Sequence, residues 1–337
     1  MTWLIVPDLM PPAEMCAAVL QDLSLPALST LLARSKRVTA TATTSTEAAL
    51  CAHFQIPYQQ DYPIAPICLA ADGGKPEQYY WLRADPVHLR ATRDQLMLVD
   101  SGAFSISQIE AELFAQAFNE YFKDDGYLLY PLRPDRWYLR VAKIPQLRTT
   151  PVNQVTGKHI DPHLPQGADS LAWHRFYNEI QMLFFSLAVN DAREQRGELP
   201  INSLWCWGGG VMPDIPRMAT GKLWTNDPNI RAMALLANMP NDALPDNINN
   251  INDDAIVILD QLTGAAQYGD YYGWREAMLV LEQNWFAPLL SQLKAGQIKQ
   301  LRITTHTPTH QYEWLCQRID LWRIWRRTPL TQQLTSL

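Results

Sequence analysis

The stretch Asn190-Asp191-Ala192-Arg193-Glu194-Gln195-Arg196-Gly197-Glu198-Leu199-Pro200-Ile201-Asn202-Ser203-Leu204-Trp205-Cys206-Trp207-Gly208-Gly209-Gly210 decides how the chain is read. A long amphipathic pattern ends just before it, and the alternating apolar run from Ile201 to Trp207 closes in three glycines. That order predicts a helix, then a strand, then a loop whose backbone comes very close to something. Gly197 supplies the turn after the helix, while Pro200 stops it and removes a donor. Consecutive glycines free the backbone for positive φ and close approach. Two readings stand at this point. Either the loop touches a ligand, or it is a tight crossing of the core.

Composition narrows the class. A chain of 337 residues with 47% apolar content buries a sizeable core and is long for one compact domain, so two lobes are expected. A formal charge of −6 argues against a phosphate-backbone binder held by bulk electrostatics. Five scattered cysteines (Cys16, Cys51, Cys68, Cys206, Cys316) with no C-x-x-C pair fit reduced thiols rather than a disulfide frame or zinc site. The start, Met1 to Asp8, lacks the pattern of a signal peptide, and no apolar run approaches a membrane span. The expectation is a cytoplasmic protein with no membrane partner.

Outward from the opening stretch, Thr2–Val6, Ala255–Leu259 and Leu301–His306 read as core strands that deliver Asp8, Asp260 and His306 to a surface. In an α/β fold the carboxyl ends of strands are where ligands gather. The plain alternative for Asp8 is a turn aspartate before Pro11-Pro12. Residues 26–34 read as a helix with Pro26 in its first turn, and Ser45 or Thr44 caps the helix that follows. Such a cap position also suits a nucleophile or a phosphate at the positive end of a helix dipole. Tyr79–Leu89 reads as a strand leading to a polar turn. Its Arg83 is either a phosphate contact or the partner of Asp85.

Ser107-Gln108-Ile109-Glu110 is a capping box opening a helix on which Ile109, Leu113, Ala117 and Tyr121 recur. Trp137–Val141 is a further strand. The loop Thr156–Gly167 concentrates Lys158, His159, Asp161 and His163, a weak metal pattern. Trp173 to Leu187 is strongly amphipathic. The helix from Trp274 to Leu293 bends at Pro288 and stops near Gly296. In the tail, Arg318, Arg323, Arg326 and Arg327 interleave with Trp314, Trp322 and Trp325. Aromatics packed between solvated arginines are the expectation there, with nucleic acid disfavoured.

Three stretches carry a family resemblance: Trp81–Leu89 with Arg93-Asp94, Asn178–Met182, and Asn190–Gly210. Together they resemble the RpfE-type bacterial regulatory proteins, which are themselves similar to archaeal-type cofactor-independent phosphoglycerate mutases of the alkaline-phosphatase superfamily. Asp161-Pro162-His163, and Asn190, Arg193, Gly197, Pro200 and Asn202, match two of the family's motifs. The resemblance implies an α/β class with an alkaline-phosphatase-like core sheet flanked by helices, formed by residues 1–87 and 211–337. A smaller inserted α+β lobe, residues 88–210, closes over a phosphorylated substrate.

The family's chemistry is phosphoryl transfer through a serine activated by two metal ions. The resemblance puts Ser45 near the nucleophile's place and leaves Asp8, Asp260 and His306 as metal ligands. The family's Asp-Glu-x-x-His pair lacks its histidine after Asp260, and its Asp-His tip reads Thr305-His306. The ligand set is therefore incomplete, with room for at most one divalent ion such as Mn, Zn or Mg. Arg83, His163, Arg193 and Asn202 are the expected ligand binders, since phosphate recognition needs cationic and amide donors. The resulting expectation is a regulatory pseudoenzyme that binds a phosphorylated small molecule in a cleft between the lobes. The rival reading is an active metal-dependent phosphatase or phosphomutase using Ser45. A protein partner on the Trp/Arg-rich tail ranks last.

Overall fold

The computed structural model describes residues 1–11, 19–20, 22–41, 45–93, 95–217, 221–251, 254–307, 310–326 and 328. Cys16, Thr44, Asp94 and Arg327, named above, lie outside the described residues. The first strands are β1 (Thr2–Ile5), β2 (Lys36–Thr41), β3 (Tyr80–Ala91), β4 (Leu96–Val99), β5 (Tyr127–Arg133) and β6 (Arg136–Val141). They are followed by β7 (Ser203–Gly210), β8 (Lys222–Trp224), β9 (Asn241–Asp242), β10 (Ala255–Ile258), β11 (Gln300–His306) and β12 (Gln311–Gln317). The main helices are α1 (Pro26–Arg34), α2 (Thr46–His53), α3 (Ile64–Ala71), α4 (Gln108–Tyr121) and α5 (Ser170–Phe185). After these come α6 (Ala188–Gln195), α7 (Pro228–Leu236), α8 (Tyr271–Leu281) and α9 (Ala287–Ala295).

The mixed α/β chain forms two units, Met1–Phe54 with Pro216–Leu337, and Gln55–Ile215. The divisions expected from sequence stood at 87/88 and 210/211. Val87 and His88 both lie inside β3, whose partners β4, β6 and β7 all belong to the second unit.

In the first unit seven strands run in the order β2-β12-β11-β1-β10-β8-β9. Ile5 stands opposite Ile258 on one side and Thr304 on the other, in parallel register. β12 is antiparallel to both β11 and β2, so β2 runs with the parallel set. One sheet face presents Leu4, Val6, Val257, Leu301 and Ile303 to Leu28, Leu31, Trp274, Leu281 and Leu293 of the covering helices.

Helix α1 begins at Pro26, and its N-cap Leu25 has no side-chain oxygen to offer. The orphaned N–H groups of Ala27 and Leu28 instead donate to the two carboxylate oxygens of Glu282, at 2.6 and 3.0 Å. Glu282 opens a π-helical turn, Glu282–Phe286, between α8 and α9. Pro288, where the sequence predicts a bend, lies in the first turn of α9, just beyond that turn. The proline ring and missing N–H disrupt the ladder in the preceding turn, which widens to accommodate them. Gly296 ends α9 at φ +77°, as its position implies.

The second unit holds a sheet in the order β4-β3-β6-β5, with β7 joined to β3. Phe114 and Phe118 of α4 and Trp173, Phe176, Ile180 and Phe184 of α5 pack on Leu82, Trp137 and Leu139. The capping box of Ser107 and Glu110 forms as read. The apolar face of α4 is corrected. Ala111, Phe114, Ala115 and Phe118 are buried, while Ile109, Leu113 and Tyr121 face outward. Both sets recur at helical spacing, and the bulkier aromatic one takes the core. Strand β5, hairpin partner of β6, went unread in the sequence.

The three glycines are strand, not loop. Gly208 (φ +64°) sits in a bulge where Trp81 pairs with Gly210 and Arg83 with Trp207. A Cβ on Gly208 would lie 3.0 Å from Ile64 Cβ, and one on Gly210 2.5 Å from Pro63 Cβ. A Cβ on Gly209 would strike the Tyr80 hydroxyl. The close approach is that of α3 and its own sheet, so the core-crossing reading holds and the ligand-loop reading does not.

Glu282→Ala strips both acceptors from α1 and is expected to cost about 1–3 kcal/mol. Glu282→Gln, which keeps one oxygen, should lose less. Denaturant midpoints of the two variants against the parent decide it.

Candidate functional site

β1, β2, β8, β10 and β11 run parallel, so their carboxyl ends share one edge of the first unit's sheet. His306, Asp8 and Asp260 follow the neighbouring strands β11, β1 and β10, and Asp227 follows β8. Adjacent strands lie about 4.8 Å apart, so these side chains start from neighbouring tracks. Ser45 follows β2, two strands beyond β11.

Each group has a local reason for its place. Asp8 takes φ +55°, a conformation aspartate tolerates, and its carbonyl accepts the Trp274 indole N–H at 3.0 Å. Ser45 caps α2, its Oγ accepting the Ala48 N–H at 3.1 Å. Asp227 caps α7, its side chain accepting from the Asn229 and Ile230 N–H groups at 2.7 and 3.1 Å. Burial, and then the charge of Asp227, hold the Asp260 carboxyl above the usual range. His306 shares a hydrogen bond of 3.1 Å between Nε2 and Gln311 Oε1, while its buried Nδ1 has no partner among the described residues. Burial pushes its imidazole down to about 4, so it is neutral at physiological pH.

The residues present do not fit the expected metal. Among the described residues no group of three or more His, Cys, Asp or Glu side chains could hold an ion. Asp8, Asp260 and His306 share an edge without forming a ligand set.

In the second unit the expected ligand binders turn inward. Arg193 is fully buried. Its Nε donates to the Leu199 carbonyl at 2.9 Å, Nη1 to Glu110 at 3.1 Å and Nη2 to the Ser105 carbonyl at 3.0 Å. Asn202 pairs with the backbone of Leu89 in both directions, accepting at 2.7 Å and donating at 2.9 Å. Asn190 closes on Ile201 in the same way, at 2.9 Å each. The Pro200 carbonyl accepts from His88 Nδ1 at 2.9 Å. The whole Asn190–Asn202 motif is a clasp that ties α6 to β3 and to the start of α4.

Arg83 takes the second of its two readings. It pairs with Asp85 at 2.5 Å, and the Trp207 indole donates to the other Asp85 oxygen at 2.6 Å. The Tyr138 and Trp207 rings flank the guanidinium. Burial drives the Asp85 carboxyl up while Arg83 draws it back down. Three of the four expected binders are therefore corrected to structural roles. Polar side chains able to satisfy backbone groups look the same in sequence as ones able to grip a ligand.

His163 differs. It sits half-buried on a short 3₁₀ turn, Asp161–His163, and burial followed by the charge of Lys158 lowers its pKa. Among the described residues nothing hydrogen-bonds its ring.

No family model matches the chain. It is 29% identical over 137 residues to the 2,3-bisphosphoglycerate-independent phosphoglycerate mutase of Methanosarcina mazei, covering 39% of this chain and 34% of that protein. A probable enzyme of the same name from Geobacter sulfurreducens is 29% identical over 140 residues, 41% of this chain and 34% of that one. The chain thus matches about a third of the length of these relatives. A solved protein of Pyrococcus horikoshii shares the fold at a TM-score of 0.51 and 11% identity, over 94% of this chain and 87% of that one. The chain is a distant relative of the cofactor-independent phosphoglycerate mutases and stands on a phosphoglycerate-mutase-like scaffold.

Arg193→Ala leaves Glu110 and two carbonyls without their buried donor and is expected to cost about 3–5 kcal/mol of stability, read from denaturant unfolding. His306 gives a pH signature. Its folded pKa of about 4 lies below the 6.5 of the free side chain, so the unfolded chain binds the extra proton between those values. Stability from this residue is full above pH 6.5 and falls as pH drops toward 4. In His306→Gln, unfolding midpoints taken across that window should fall less steeply than in the parent.

Proposed function

We propose that the chain is a ligand-binding, regulatory protein of the RpfE-type on a phosphoglycerate-mutase-like scaffold, holding a phosphorylated small molecule without turning it over. The observation that carries this reading is the make-up of the carboxyl edge. Ser45 stands at the N-terminus of α2, where a helix dipole favours phosphate. Among the described residues the edge gathers no group of three or more His, Cys, Asp or Glu side chains that could hold a metal to power transfer. Relatives named as phosphoglycerate mutases supply the ligand class, a phosphorylated three-carbon acid. Ser45, at the carboxyl edge of the first unit, is the contact to test. The protein works in the cytoplasm in this reading, and no helix among the described residues is long and apolar enough to cross a membrane.

A second reading, a metal-dependent phosphatase or phosphomutase with Ser45 as nucleophile, rests on the same placement of Ser45. Calorimetry with 2- and 3-phosphoglycerate, run beside assays of phosphate release and of interconversion of the two isomers with added manganese, separates the two. Binding without turnover, weakened in Ser45→Ala, is the expected result. Manganese-dependent turnover abolished by Ser45→Ala and Asp8→Ala would establish the second reading instead. Absence of both heat and turnover would overturn both.

A further inference from the structure

The opposite edge of the first unit's sheet, where β2 and β11 begin and β12 ends, carries a feature that the proposed function does not use. Beyond β12 the chain makes a 3₁₀ turn, Arg318–Trp322, and then a bend. Trp314, still in the strand, packs in the core as expected. The expectation fails for the other two tryptophans: Trp322 is 76% exposed and Trp325 75%. Ile319 and Ile324 stand out beside them, at 71% and 57%. Four large apolar side chains within seven positions are thus exposed. Leu321 and Asp320 are buried beneath, and the Leu321 carbonyl accepts from Arg34 at 2.7 Å, so the segment is anchored.

The rim around these side chains is cationic and comes from three elements. Arg318, Arg323 and Arg326 alternate with the apolar residues, and Asp320, the acid among them, is paired with Arg323 at 3.1 Å. Arg326 reaches the Ser35 carbonyl at 3.4 Å, which sets it beside exposed Lys36 at the start of β2. Exposed Lys299 precedes Gln300, which pairs with Gln317 next to Arg318. The rim is positive although the chain as a whole carries −6. Fields screen out within about 8 Å at physiological salt, so a docking surface responds to this local charge and not to the total.

Tryptophan prefers the boundary between hydrocarbon and water, where its ring is buried and its N–H stays wet. Arginine and lysine beside such rings add attraction to anionic headgroups. Isoleucine discriminates between partners. An aliphatic side chain gains by entering an acyl layer and offers no ring for a nucleobase to stack on. We propose that the Ile319–Arg326 segment docks the protein reversibly on an anionic lipid surface, with its tryptophans at the headgroup level. Docked this way, the unit turns the opposite edge, with Ser45, Asp260 and His306, away from the bilayer. The inference is independent of the ligand reading above.

The test is co-sedimentation of the full chain with vesicles of phosphatidylcholine alone and of phosphatidylcholine mixed with phosphatidylserine. Binding is expected to the mixed vesicles, reduced by added salt, and weakened roughly tenfold or more in Trp322→Ala/Trp325→Ala. Arg326→Gln/Lys36→Gln should weaken it and flatten its salt dependence. All four substituted residues are exposed, and circular dichroism confirms that each variant folds. No binding to mixed vesicles at low salt, equal binding to both vesicle types, or parental binding by the tryptophan variant would each overturn the proposal. So would retention of a single-stranded oligonucleotide, or a dimer abolished by the tryptophan change, in the absence of vesicle binding.

Discussion

The second unit depends on one buried cation. Arg193 carries its charge with no exposed surface, and such a charge is tolerable only where every donor meets an acceptor. Its acceptors come from three places: the Leu199 carbonyl after its own helix, the Ser105 carbonyl before α4, and the carboxylate of Glu110. Glu110 also completes the capping box of α4 and receives Arg196 at 2.6 Å. Removing the guanidinium would release the start of α4, the end of α6 and the approach to β7 together. A buried pair of this kind fixes which arrangement forms more than it adds to net stability.

The same economy of space governs β7. Its bulge at Gly208 lets Thr149 reach the strand, its Oγ1 accepting the Gly208 N–H at 3.1 Å and donating to the buried carboxylate of Asp61. Gln59 holds the following residue, Val211, through both its N–H and its carbonyl. A side chain at any of the three glycines would collide with α3, the proline before it, or β3. Glycine is required there by protein against protein, with no ligand involved.

These details explain what could be read in advance. Apolar periodicity located β1, β3, β6, β10, β11 and helices α1, α4 and α5, because alternation and helical spacing are local. The cap at Ser45 and the stop at Gly296 were legible for the same reason. Long-range choices were not. Whether Arg83 meets a phosphate or Asp85 depends on Trp207 arriving from 122 residues away, and whether Asn202 binds a ligand or Leu89 depends on strand pairing. On α4 two faces carry acceptable periodicity, and only the packing of Phe114 and Phe118 against α5 selects one. Asp227 entered the edge unannounced because a capping aspartate and a site aspartate share one sequence signature.

The motif most specific to the resemblance therefore reports on architecture, and this changes what the likeness to mutases can carry. The clasp works only if α4, α6, β3 and β7 are arranged in one way, so its residues serve the architecture. The clasp says nothing about turnover, because Asn190, Arg193 and Asn202 spend their polar groups on protein partners. Activity has to be judged at the carboxyl edge of the other unit, from the charge states there. That edge pairs a carboxyl raised by burial with an imidazole lowered by burial. Both shifts favour the uncharged form, which is costly to reverse inside a protein. The positive end of α2 is left as the edge's main attraction for an anion.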